Sequence, residues 1–182
     1  MSAGSGFYDD VASPQALAEW RKLASSNPSV LRRQQEILTT ARVVHRFDMP
    51  YLAGYSRDGR TLYIDRHLPF VDKIAKRNVC VRDFLCIHES VEKALIDELH
   101  WKYERAHHVA TAVEYENASS VVPIDAYRKF LRPFIKAADH EKLTSIPSDL
   151  DLTPMQSDKK LLSHLQSIMH GARAMFQRKK SS

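Results

Sequence analysis

Along this chain the hydrophobic positions switch from helical spacing to short β-rich clusters and back again. From Pro14 to about Thr40 the spacing is helical, with Leu17, Trp20, Leu23 and Ala24 on one face, then Val30, Leu31, Ile37 and Leu38. Ser13-Pro14 and Asn27-Pro28 predict the two helix starts, because a polar cap followed by proline at the first helical position suits a helix N-terminus. From Val43 the clusters Val43-Val44, Tyr51 to Tyr55 and Thr61 to Asp65 are β-branched and aromatic. They predict a small antiparallel sheet of two or three strands. Arg57-Asp58-Gly59-Arg60 predicts a hairpin turn, since Asp-Gly supplies the positive φ angles that tight turns need. Pro69 to Lys76, with Phe70, Val71 and Ile74, predicts a short helix.

The longest helical pattern runs from Val81 to Ser119. On a helical wheel Phe84, Leu85, Val91, Leu95 and Leu99 form one apolar stripe, with Asp83, Ser90, Lys93 and Asp97 on the other side. Beyond it, Ala126 to Ala138 predicts a helix that Pro133 should kink or split. Ile146 to Pro154 predicts an extended segment, because residues before proline avoid the α region. A last helix spans about Asp158 to Phe176. The fold class expected is α+β and predominantly α, with a small antiparallel β-sheet packed on a helical bundle around a central antiparallel helix pair.

Bulk properties narrow the picture little. A chain of 182 residues with 43% hydrophobic content suffices for one domain. The expected division is a flexible stretch 1–12, a single α+β domain 13–176 with its core at 43–152, and a basic flexible tail 177–182. The net charge of +5 is modest and partly sits in Arg178-Lys179-Lys180, which argues against nucleic acid as a partner. No apolar run approaches the ~20 residues of a membrane span, and the N-terminus lacks a signal-peptide core. A cytoplasmic protein is expected. Cys80 and Cys86 lack zinc or redox spacing and read as small, reduced core or boundary residues.

Chemistry enters through the polar residues of the central pattern. His88 and Glu92, one turn apart, sit within the apolar stripe, and Glu89 flanks it. In the second half His107, Thr111 and Glu114 share one face beside Tyr103. Buried ionisable groups cost several kcal/mol unless paired or metal-bound, so the two sets should face one another. One continuous helix would hold His88 and His107 about 28 Å apart. The chain must therefore break near Leu99 to Lys102, pairing Glu92 with His107 and His88 with Glu114. Asp65, at a strand end, and Thr111 are the candidates for orienting the histidines from behind.

The order of small sheet, His-Glu helix and second helix with a late Glu resembles a minimal zincin metallopeptidase of the gluzincin branch. That resemblance implies zinc as cofactor, His88 as a ligand, Glu89 as general base and Glu114 as the glutamate ligand. Glu92 stands where the family has its second histidine, so the motif is H-E-x-x-E, and His107 is the residue able to restore a nitrogen ligand. Tyr103 or a tyrosine of the hairpin would stabilise an oxyanion, and the substrate would be a peptide or protein laid along the sheet edge. The chain also resembles uncharacterised bacterial and phage proteins that share a Tyr-Ile-Asp strand, an H-E-x-x-E helix and an A-H-x-x-A-T-x-x-E helix. Here these are Tyr63 to Asp65, His88 to Glu92 and Ala106 to Glu114, within a resemblance spanning about 51 to 152.

Two readings stand against a metallohydrolase. The His–Glu pairs satisfy each other without metal in a non-catalytic interaction or assembly protein of a bacterium or phage. Alternatively, Glu104 and His107 have the E-x-x-H spacing of dimetal carboxylate bundles, though the second such motif is missing.

Overall fold

The computed structural model of this chain describes residues 13–138, 143–156 and 159–180, the stretch 170–180 by its backbone alone. The expected flexible residues 1–12, and the end of the basic tail at 181–182, lie outside the described residues.

Helix α1 (Pro14–Ser26) starts as its sequence dictates, with the Ser13 hydroxyl accepting from the Ala16 N–H at 3.3 Å. Helix α2 (Pro28–Thr40) follows at Pro28. Ala16, Val30, Trp20 and Leu23 pack on the central helices, as the apolar spacing predicts. Three strands then form a sheet in the order β1-β3-β2: β1 (Arg42–Phe47), β2 (Ala53–Tyr55) and β3 (Thr61–Asp65). Strands β2 and β3 are the expected antiparallel hairpin. Gly59 is required in its turn: its φ is 72°, and a Cβ would come within 2.6 Å of the Arg33 guanidinium.

The sheet differs from a wholly antiparallel one. β1 lies parallel to β3, with Arg42 opposite Thr61, because residues 48–52 cross the end of β3 before β2 returns on its far side. Tyr51 (φ 63°) and Leu52 (φ 74°) make that crossing in left-handed conformations without glycine. No turn motif announces it for that reason. Asp65 holds the crossing in place, accepting from the Met49 N–H and the His67 N–H, each at 2.8 Å.

A second departure lies at 69–76. In place of a short helix the chain forms a β-hairpin, β4 (Val71–Ile74) and β5 (Arg77–Cys80). Ala75 and Lys76 turn it at φ 50° and 67°, a two-residue turn with both φ angles positive. Phe70, Val71 and Ile74 fit helical spacing equally well, and the turn again lacks glycine. Burial of Ile74 and Val79 in the main core offsets a left-handed cost of about 1–2 kcal/mol per residue.

The central pattern breaks where expected. α3 (Val81–Leu99) and α4 (Tyr103–Ser119) are separate helices packed antiparallel. His100 ends α3 in the left-handed region, φ 51° and ψ 36°, while its N–H still reaches the Ile96 carbonyl at 3.1 Å. Histidine tolerates that region better than most residues. The polar side of the α3 wheel is nevertheless not solvent-facing: Ser90 and Lys93 are buried. α2 and the segment near Asp151 cover that side.

α5 (Ile124–Ala138) carries Pro133 inside a single, unsplit helix. The segment expected to be extended from Ile146 to Pro154 is interrupted by a turn at Ser148–Asp149 and ends in the 3-10 turn that begins at Thr153, and Leu150 bridges to Ser56 on the sheet. A 3-10 turn, Thr153–Met155, leads to α6 (Lys159–Lys180), whose backbone continues four residues past the expected end at 176. Apolar residues flank the sheet on both faces. Tyr55 and Leu62 pack with Ile37 and Cys86, whereas Tyr63 and Met49 pack with Leu143, Leu150, Met155 and Leu165. The fold is α+β and predominantly α, with α3 and α4 at its centre. Among the described residues no helix is long and apolar enough to cross a membrane.

Asp48 fastens the 143–152 segment to the sheet. Its Oδ2 accepts from the Thr144 N–H at 2.7 Å, the Thr144 hydroxyl at 2.8 Å and the Ser145 N–H at 2.8 Å. Burial alone would raise its pKa, but these donors and the Arg66 guanidinium hold it below the ordinary aspartate value. A carboxyl depressed in the folded state contributes stability above its unfolded pKa and loses it as pH falls through the folded one. Asp48→Ala should cost about 1–3 kcal/mol in urea unfolding at pH 7, the penalty for stranded buried donors. The difference from wild type should shrink below about pH 4; a gap that persists in acid would separate the effect from this carboxylate.

Candidate metal centre

The antiparallel pairing of α3 and α4 brings three metal-ligating side chains together. His88 Nε2 lies 3.1 Å from His107 Nδ1, His107 Nδ1 lies 3.0 Å from Glu92 Oε2, and His88 Nε2 lies 3.6 Å from Glu92 Oε2. All three residues are buried. A tetrahedral ion with bonds of about 2.1 Å needs ligand atoms about 3.4 Å apart, and the three observed separations bracket that value. Two imidazole nitrogens and a carboxylate oxygen at such distances repel one another unless a proton or a cation lies among them. The group can therefore hold a metal ion.

The expected pairs meet as foreseen: Glu92 with His107 at 3.0 Å, His88 with Glu114 at 2.7 Å. Glu114 is not within the three-residue group. It lies behind His88, where its Oε2 receives Nδ1 and its Oε1 accepts from the Tyr127 hydroxyl at 2.9 Å. A carboxylate on the far ring nitrogen directs Nε2 into the site. Tyr55, from β2, donates to Glu92 Oε1 at 2.8 Å and leaves Oε2 facing the histidines. Tyr103 places its hydroxyl 3.3 Å from His107 Nδ1.

Asp65 and Thr111 take other duties. Asp65 spends its oxygens on the backbone of Met49 and His67, so it orients the crossing loop and no histidine of the site. Thr111 donates to the His107 carbonyl at 2.9 Å, a bond within α4. Sequence reasoning missed Tyr55 and Tyr127 as partners of the two glutamates. Both were legible as inward-facing aromatics, and buried carboxylates need donors, but which tyrosine meets which acid depends on how the sheet and α5 pack.

Electrostatics sort the acids. Burial would raise the pKa of Glu92, but hydrogen bonds from His107 and His88 hold it well below the usual range. For His88 burial opposes the charge, yet bonds to Glu114 and Glu92 keep it well above the ordinary histidine value. For Glu89, burial followed by the Glu92 charge outweighs the opposing pull of His88 and pushes it up to about 8.

The group lines a small cleft of about 10 Å³, room for about one water molecule. Glu89 and Tyr103 line it beside the ligands, together with Tyr51, Ala53, Gly54, Asp151, Pro154 and Met155. Comparison with protein-family models, curated proteins and solved structures returned no match to this chain. Function therefore rests on the site itself.

If Glu114 supports a ligand rather than acting as one, Glu114→Gln should weaken metal binding about 10- to 100-fold. His107→Ala, which removes a donor atom, should abolish tight binding. Co²⁺ titration followed by its absorption checks both, and an equal, complete loss in the two variants would make Glu114 a ligand.

Proposed function

We propose that this protein is a zinc-dependent hydrolase of the zincin-like kind, acting on peptide bonds. The observation that carries the reading is that His88 Nε2, Glu92 Oε2 and His107 Nδ1 converge beside a small cleft that Glu89 also lines. A nitrogen- and oxygen-donor set with three protein groups suits zinc better than calcium or magnesium, which prefer oxygen. Bound there, zinc would supply Lewis acidity, bringing the pKa of a coordinated water to about 7.

This chain's own residues divide the remaining work. Glu89 receives the proton of the attacking water and passes it to the leaving amine; a carboxyl whose pKa lies near neutrality suits that exchange. Tyr103 offers its hydroxyl to the oxygen that gains charge as the carbonyl is attacked. Glu114 and Tyr55 hold His88 and Glu92 in register. A peptide would approach beside Ala53, because the β2 edge at Tyr55 is already taken by the Asp151 backbone.

The second reading, a non-catalytic interaction or assembly protein with a structural cluster, has the 2.7 and 3.0 Å His–Glu contacts in its favour. The convergence of two ring nitrogens and a carboxylate oxygen on one point favours the metal reading over it.

Glu89→Gln should keep the metal and the melting temperature of the wild type while abolishing peptide hydrolysis. His88→Ala should lose metal and activity together and destabilise the protein by about 3–5 kcal/mol, because Glu114 is left buried without its partner. Stripping the metal from wild type with a strong chelator should lower stability by about 4 kcal/mol when free zinc had stood near 1,000 times its Kd. A melting curve indifferent to both zinc and chelator would leave only the structural reading.

A further inference from the structure

Glu92 offers the histidines one oxygen and keeps the other turned away. Its Oε2 lies 3.0 Å from His107 Nδ1 and 3.6 Å from His88 Nε2, whereas its Oε1 accepts from the Tyr55 hydroxyl at 2.8 Å. A glutamate can bind an ion through both oxygens only when both face it, as in bidentate calcium sites. Here the second oxygen is committed to a phenol that is 1% exposed and has no solvent to turn to.

Tyr55 is held at both ends and across its ring. Its carbonyl accepts from the Asp151 N–H at 2.9 Å, its hydroxyl reaches Glu92, and the Lys93 ammonium stands 5.3 Å from the ring centre. Glu92 and Lys93 are neighbours on α3, about 100° apart around the helix, so one tyrosine braces against both. Lys93 is fixed in turn by Asp97 at 2.8 Å and Asp151 at 3.0 Å, and Asp97 meets Arg33 of α2 at 3.0 Å. A desolvated cation over an aromatic face attracts it. That gives the buried Lys93 a duty beyond its ion pairs.

We infer that Tyr55, positioned by Lys93, determines which metal the site takes: it keeps Glu92 a one-oxygen ligand and so selects a four-coordinate ion, zinc, over ions that demand more oxygens. The cleft agrees with this. Two ring nitrogens and one carboxylate oxygen leave a fourth position, and the space of about 10 Å³ beside them holds about one water. Manganese and magnesium favour octahedral oxygen sites, and calcium takes roughly six to eight oxygens. Among the described residues the group supplies one carboxylate oxygen, from Glu92. Without the Tyr55 hydroxyl, Oε1 is released to turn toward the ion beside Oε2.

The inference rests on the three-residue metal group and not on the hydrolysis assigned to it. Cobalt(II) reports coordination directly, because a four-coordinate ion absorbs visible light far more strongly than one with more ligands. Wild-type protein loaded with Co²⁺ should give the intense four-coordinate spectrum, and competition titrations should show zinc preferred to manganese. Tyr55→Phe keeps the ring beside Lys93 and removes only the hydroxyl. In that variant the cobalt bands should weaken, and the zinc-to-manganese preference should fall about 10- to 100-fold. A Tyr55→Phe protein with the wild-type spectrum and preference overturns the inference. Wild type that binds cobalt in a weakly absorbing form also overturns it, while leaving the metal group in place. Wild type that binds neither zinc nor cobalt removes the metal group and this inference together. Lys93→Met should shift both readouts in the same direction, and combining it with Tyr55→Phe should add nothing, since the lysine acts through the tyrosine. Losses that add in the double variant refute the role of Lys93. Lys93→Arg, which keeps the cation, covers the case in which Lys93→Met does not fold. It should retain the wild-type spectrum and preference, and a change as large as that of Tyr55→Phe refutes positioning by the cation.

Discussion

Glu92 and Glu114 are carboxylates buried on facing helices, and a buried carboxylate without donors costs several kcal/mol. Much of the architecture can be traced to meeting that demand. Each acid receives one imidazole from the opposite helix, which ties α3 to α4 twice, and one tyrosine from outside the pair. Tyr55 comes from the sheet and Tyr127 from α5, so the sheet, the central helices and α5 are all anchored on the same two acids. Replacing any single partner would strand a charge in the core. The pairing of the helices and the chemistry of the site are in this way one constraint.

The same constraint explains why the site is asymmetric. Glu114 is closed in on both oxygens by His88 and Tyr127, deep between α3, α4 and α5. Glu92 lines the small cleft beside β2 together with His88 and His107, whereas Glu114 does not. Glu89 lines the same cleft, with burial opposing its charge. Position therefore separates Glu92, which belongs to the group that can hold a metal, from Glu114 behind it, although both sit in a His–Glu pair of similar length.

Around the cleft, the chain returns from α5 to cover the sheet edge. Asp48 and Lys93 receive that return at its two ends, one through Thr144 and Ser145 and the other through Asp151. The crossing loop at Tyr51 and Leu52, held by Asp65 in left-handed conformations, brings Tyr51 to the cleft. Strained backbone of this kind persists only where surrounding contacts over-determine it, and here the contacts are buried carboxylate bonds.

What the sequence by itself determined was local and periodic. The caps at Ser13 and Pro28, the Asp58-Gly59 turn, the helical spacing of the central stretch and the out-of-place His88, Glu92, His107 and Glu114 are legible because each depends on neighbours a few residues away. The break at His100 was legible indirectly, since four buried ionisable groups on one unbroken helix would have had no partners. Tertiary structure alone decided the parallel β1, the hairpin at 71–80 and the turns at Tyr51, Leu52, Ala75 and Lys76, because those left-handed residues lack the glycine that normally signals them. It also decided that Lys93 is buried and that Asp65 serves the backbone. A helical wheel marks which residues share a face, but not which faces other segments come to cover. The roles of His107 as candidate ligand and Glu114 as its neighbour's support follow from the same source: identical residue types at similar spacing differ only in where packing sets them relative to the point of convergence.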